Sequence, residues 1–117
     1  MPNSEPGRLQ SGTSSPADVF AALGDTTRLI LVERLCHGGD QSVSQLGAGV
    51  PMSRQAVRKH LSVLEHAGLV GSTQRGREQL FSLRRERIEQ ARSCLDGIAQ
   101  QWDSMLLRLK DHLEKEP

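Results

Sequence analysis

The sequence predicts a mainly α-helical fold carrying one small β-hairpin, on three observations. Apolar residues recur at helical spacing through residues 16–66 and again through 88–113. Helix-capping residues, Ser15, Asp25, Ser42 and Ser53, stand where those periodic stretches begin. Between the two regions, Arg75-Gly76-Arg77 separates short segments containing the strand-forming residues Val70, Thr73 and Phe81.

The elements follow in order. Met1 to Ser15, rich in Ser, Gly, Pro and Asn, has no basic start or apolar centre, so residues 1–15 read as a disordered tail without a secretory signal, which points to a cytoplasmic protein. Ser15-Pro16-Ala17-Asp18 opens a first helix that ends at Gly24: Ser15 caps, Pro16 suits the first helical position and Asp18 suits the positive helix start. Asp25 caps a second helix whose apolar stripe is Leu29, Val32 and Cys36 with Leu31 and Leu35, stopping at Gly38-Gly39. Ser42-Val43-Ser44-Gln45 resembles a capping box and starts a short third helix through about Ala48. After the turn Gly49-Val50-Pro51, Ser53 caps a fourth helix to about His66, with Gly68 ending it. Leu69–Gln74 and Glu78–Leu83 form the hairpin, its tip carrying Arg75 and Arg77. Last comes a long helix in which Ile88, Ala91, Leu95, Ile98, Trp102, Met105 and Leu109 alternate spacings of three and four, as in a coiled-coil seam, followed by Leu113 and interrupted only by Gly97.

The 117 residues suit a single domain, and 36% hydrophobic with 25% charged residues is the balance of a soluble globular protein. No apolar run approaches the roughly 18 residues of a membrane-spanning helix. The net charge of +1 conceals a pattern: residues 1–52 carry a net −2, residues 53–85 a net +5 and residues 86–117 a net −2. A concentrated positive segment between two acidic ones suggests contact with a polyanion. The fourth helix carries that charge. With Ala56, Val57, Leu61 and Leu64 (and Val63) turned inward, Arg54, Gln55, Arg58, Lys59 and Ser62 face outward. Arginine pairs with guanine, glutamine with adenine, both cations neutralise phosphates, and Ser53 at the helix start offers its hydroxyl to a phosphate. A short helix, a tight turn and a longer basic helix is the helix-turn-helix arrangement, whose second member lies in the major groove of double-stranded DNA. Arg75 and Arg77 suit a minor groove or its phosphates. Two phenylalanines, one tryptophan and no tyrosine argue against stacking on single strands.

The runs ALGDTTRLILVERL, VSQLGAGVPMSRQAVRKHLSVLEHAGLV and RGREQLFSL resemble the ArsR family of bacterial winged helix-turn-helix repressors over nearly all of Pro16 to Leu113. The second run, with Trp102 and RLKDHLEKE near the end, is similar to the branch often encoded beside small START-like (SRPBCC) proteins. The resemblance implies five helices plus a wing, with residues 16–83 the DNA-binding part and residues 84–117 a dimerisation helix. It also implies a homodimer joined through its first and last helices on a palindromic operator. It carries DNA contact onto Ser53, Arg54, Gln55, Arg58, Lys59 and His60, with Arg75 and Arg77 on the wing. Where the family commonly has a small serine after the valine, this chain has Arg58, a side chain able to reach a further base or phosphate.

Many family members bind metal through a Cys-x-Cys on the third helix or through acid and histidine pairs on the last. Here the third helix has no thiol, and Asp111-His112 has no second histidine at a matching distance. Two cysteines, Cys36 and Cys94, make no disulfide framework, and Cys36 reads as a small core residue, although a metal or thiol response through the two remains an alternative. No nucleophile and base pair, phosphate-binding glycine loop or paired carboxylates are present, so neither enzyme activity nor a cofactor is expected. The rival of another class is a winged-helix module whose basic helix docks an acidic protein.

Overall fold

The computed structural model describes residues 15–115, so the tail expected over residues 1–15 lies, apart from Ser15, outside the described residues. Helix α1 is Pro16–Leu23, α2 Thr26–Gly38, β1 Gln41–Ser42, α3 Val43–Leu46, α4 Arg54–His66, β2 Val70–Arg75, β3 Glu78–Leu83 and α5 Arg85–Lys115.

The helix starts are those the capping residues dictate. Ser15 and Asp18 form a reciprocal capping box on α1, Ser42 and Gln45 form another on α3, and the Asp25 and Ser53 side chains accept from the Arg28 and Ala56 amides. The end of α4 is equally determined. The Gly68 amide donates to the Glu65 carbonyl and the Leu69 amide to that of Leu64, both at 3.0 Å, which satisfies two carbonyls the helix leaves unpaired. This geometry needs a left-handed residue, and Gly68 supplies it with φ 79°.

The core gathers one face from each element. Leu31, Leu46, Leu61, Leu64, Leu69, Val19, Val57 and Val70 are fully enclosed, and each stabilises the fold by about 1.5–3 kcal/mol through burial. Phe81 of β3 and Ala91 of α5 close it from the other side. The sheet is antiparallel in the order β1-β3-β2, with Gln41 opposite Phe81 and Val70 opposite Leu83. Arg34 of α2 reaches the turn between α3 and α4 and donates from Nη1 to the carbonyls of Leu46 (2.8 Å) and Ala48 (2.6 Å). These bonds satisfy carbonyls at the open end of α3 and tie α2 to the turn that leads into α4.

Several expectations need correction. Helix α2 buries Leu31, Val32 and Leu35, whereas Leu29 and Cys36 are exposed, because α4 and β3 cover only one side of it and residues five or two positions away rotate out. Helix α3 ends at Leu46 instead of Ala48, where the Arg34 clamp takes over its carbonyls. On α4 Val63 is exposed and Ala56 only half-buried. The sheet also contains the two-residue strand β1, which is too short to leave a period in the sequence. Helix α5 runs unbroken through Gly97, but only Ala91 is buried, with Ile88 packed on the core; Leu95, Ile98, Trp102, Met105, Leu109 and Leu113 are exposed within the protomer.

Replacement of Ser42 by alanine removes the buried cap of α3 and should lower the urea unfolding free energy by about 1 kcal/mol, whereas Leu61→Ala should cost about 2–5 kcal/mol through the cavity it leaves.

Candidate nucleic-acid interface

The interface begins with the rotation of α4. Successive helical residues turn by about 100°, so burying Val57, Leu61 and Leu64 sends Gln55, Arg58, Lys59 and Ser62 to the far side and leaves Arg54 on one flank. Ser53, Arg54, Gln55, Arg58 and Lys59 are all exposed. The first turn of α4 contains no acidic residue, in contrast to Asp18 in the first turn of α1. Ser53 Oγ accepts from the Ala56 amide, but no acidic side chain of the first turn offsets the positive dipole end, which leaves the start of α4 favourable to an anion.

The hairpin brings a second cationic element to the same side. Arg75 pairs with Glu78 across a two-residue turn in which Gly76 takes φ 63°. Arg77 then faces α4: it lines, with Arg54 and Arg58, a recess of about 150 Å³ completed by Ser42, Val43, Ser44, Glu78 and Gln79. Arg75 sits on the hairpin outside this recess.

Among the described residues, Arg54, Arg58, Lys59, Arg75 and Arg77 make no side-chain hydrogen bond or ion pair. Arg28 and Arg34 are used differently. Arg34 clamps the interhelical turn, and Arg28 donates from Nε to the Ala22 carbonyl at 2.7 Å. Cations without an internal partner exchange small counterions with solvent, and releasing those counterions is what drives association with phosphates.

His60 stands apart from the rest of the expected contact set. Its side chain is 23% exposed and turned toward α2, with Nδ1 3.3 Å from Arg28 Nη1 and 3.9 Å from Asp25 Oδ2. The carboxyl of Asp25 is held below its ordinary value, chiefly by the hydrogen bond from the Arg28 backbone amide, with burial opposing and the charges of Arg28 and His60 assisting. The Arg28 and His60 pairing had a signal in the sequence: His60 is three residues from Val57, about 60° from the buried side. Ser44 and Gln79 had none, since the packing of α3 on α4 brings Ser44 there and the sheet brings Gln79. Among the described residues no three His, Cys, Asp or Glu side chains are grouped to hold a metal, and no helix is long and apolar enough to cross a membrane.

Comparison with known proteins agrees with this geometry. The profile of the bacterial regulatory protein, arsR family, matches residues 25–72. The HTH-type transcriptional regulator Rv2034 of Mycobacterium tuberculosis is 39% identical over 82 residues, which span 70% of this chain and 76% of that protein. The chain belongs to the ArsR family. An ArsR-like transcriptional regulator from Rhodococcus sp. RHA1 has the same fold, with a TM-score of 0.74, 38% identity and coverage of 86% of this chain and 94% of its own. A more distant solved structure, the homodimeric winged helix-turn-helix DNA-binding domain Mb0332 of Mycobacterium bovis, shares the fold at 20% identity and a TM-score of 0.59, covering 86% of this chain and 90% of that one. This ArsR-family member is accordingly a DNA-binding transcriptional regulator and not an enzyme.

The lowered value at Asp25 has a testable sign. Ionised Asp25 stabilises the fold above its unfolded-state value of 3.8, and that contribution is lost as pH falls through the lower folded-state value. Asp25→Asn keeps a capping oxygen but not the charge, so urea midpoints should show it less stable than the parent at neutral pH, the gap closing below pH 3.8.

Proposed function

We propose that this ArsR-family regulator is a homodimeric repressor that binds an inverted-repeat operator, with Ser53, Arg54, Gln55, Arg58 and Lys59 of α4 in the major groove and Arg75 and Arg77 of the hairpin against the adjacent minor groove. The observation that carries the reading is the set of five cations without internal partners among the described residues on α4 and the hairpin, three of which, Arg54, Arg58 and Arg77, line one recess. Their number favours phosphate contact, and the outward Gln55 and Arg58 favour base readout. An acidic protein partner would satisfy the charge but would not need a hairpin arginine set beside a groove-sized helix.

Dimerisation is supported by α5, whose exposed apolar residues continue one stripe from Leu95 to Leu113. A stripe of that extent in water marks an interface, and Mb0332, described as homodimeric, has the same fold. Two-fold symmetry then places two copies of α4 roughly 34 Å apart, one turn of DNA, which gives the operator its palindromic form. Repression needs nothing beyond occupancy of promoter DNA in the cytoplasm. The similarity to the branch encoded beside START-like proteins makes such a neighbouring gene the first regulated candidate.

Footprinting on the protein's own upstream region should show protection of an inverted repeat that random duplex does not compete away, and sedimentation should show a dimer. Arg54→Ala and Arg58→Ala should each weaken operator binding by about 1–3 kcal/mol with unfolding midpoints unchanged. A stable monomer, or protection that random duplex abolishes equally, would overturn the reading. In the same assay Ile98→Asp combined with Met105→Asp should shift the protein to monomer and abolish protection.

A further inference from the structure

Burial of Val57, Leu61 and Leu64 sets which face of α4 is core, but burial is non-directional and leaves small rotations of the helix about its axis to be held by directional contacts. Rotation matters here. A turn of about 10° moves a side-chain tip about 6 Å from the axis by roughly 1 Å. That shift is enough to spoil the alignment of a bidentate hydrogen bond to a base edge.

A directional contact opposes such rotation. His60 Nδ1 lies 3.3 Å from Arg28 Nη1, and the same guanidinium donates through Nε to the Ala22 carbonyl at 2.7 Å. Arg28 is itself fixed at the start of α2, where its backbone amide donates to Asp25 Oδ2 at 3.0 Å. Arginine has no acceptor, so in this contact Arg28 Nη1 is the donor and the Nδ1 lone pair of His60 the acceptor. The result is one continuous polar chain from the last turn of α1 through α2 to the middle of α4, on the flank opposite Arg54.

We propose that His60 is a positioning residue for operator recognition: held by Arg28, it fixes the rotation of α4 and hence the direction in which Gln55, Arg58 and Lys59 point, without touching DNA itself. The proposal rests on the reading of α4 as the helix that enters the groove. It also assigns a function to Arg28 and Ala22, which lie away from the cationic face. A direct DNA contact by His60 is disfavoured by its orientation, since the ring is mostly covered and turned to α2.

The test uses the full chain and the footprinted operator, with a random duplex as the comparison, over a series of salt concentrations. Wild type, His60→Leu, His60→Asn and Arg54→Ala are compared under conditions where all are folded. Asn offers Oδ1 close to the position of Nδ1 and so still accepts from Arg28, but it lacks the far ring nitrogen that a DNA contact would use. His60→Leu is expected to lower operator affinity about tenfold while leaving random-duplex affinity and the salt slope unchanged, and His60→Asn is expected to restore operator affinity. A purely structural role would move the unfolding midpoint but not the ratio of operator to random-duplex affinity. Should His60→Leu fail to fold, His60→Asn carries the test alone, full affinity supporting the proposal and loss overturning it. An unchanged ratio in His60→Leu, an Asn variant as weak as Leu, or a salt slope reduced by about one would each overturn the positioning role. If Arg54→Ala weakens binding while His60→Leu does not, only this proposal fails; if neither does, α4 is not in the groove and the proposed function fails with it.

Discussion

The structure depends on the burial of one face of α4. Val57, Leu61 and Leu64 recur at spacings of four and three, and all three are enclosed between the other helices and the sheet. Because an α-helix is rigid, fixing those three side chains fixes where every other residue on it points. The cap at Ser53 and the left-handed Gly68 then set its ends, so the length of the basic face is fixed by the caps and its general direction by the core. The proposed DNA-binding face is a by-product of core packing, and this is why a small domain can present it without further scaffolding.

Arginine serves two purposes in this fold, and the distinction is electrostatic. Arg28 and Arg34 each give up donors to backbone carbonyls at helix ends and hold the three N-terminal helices in register with α4. Arg54, Arg58, Arg75 and Arg77 give none to the chain, so their charge is left to solvent and counterions. A long, multiply donating side chain suits both uses, but only the second leaves a field outside the protein. The recess shared by Arg54, Arg58 and Arg77 concentrates that field between helix and hairpin.

Helix α5 follows a different rule. Its first turns belong to the domain, with Ala91 buried and Ile88 against the core, while the remainder carries large apolar side chains into water, Trp102 with 59% of its surface exposed. Leaving so much apolar area solvated is unfavourable at about 25 cal/mol per Å². The stripe supports the proposed dimer, in which a second copy with the same stripe is the partner that symmetry offers most directly.

The sequence by itself determined the order of the helices and the hairpin, the caps and the basic character of α4, because capping, glycine turns and helical period act over a few residues and need no distant partner. It also marked Arg54, Gln55, Arg58 and Lys59 as outward, since their phase follows from the apolar spacing alone. Only the tertiary structure decided which side of α2 is core, that a two-residue strand joins the sheet, that Arg77 and not Arg75 shares a recess with α4, and that His60 turns to Arg28. Each of those depends on residues brought together from far along the chain: Arg28 and His60 are 32 positions apart. Local periodicity says which way a side chain leaves its helix, but what it meets there is set by how the elements close upon one another.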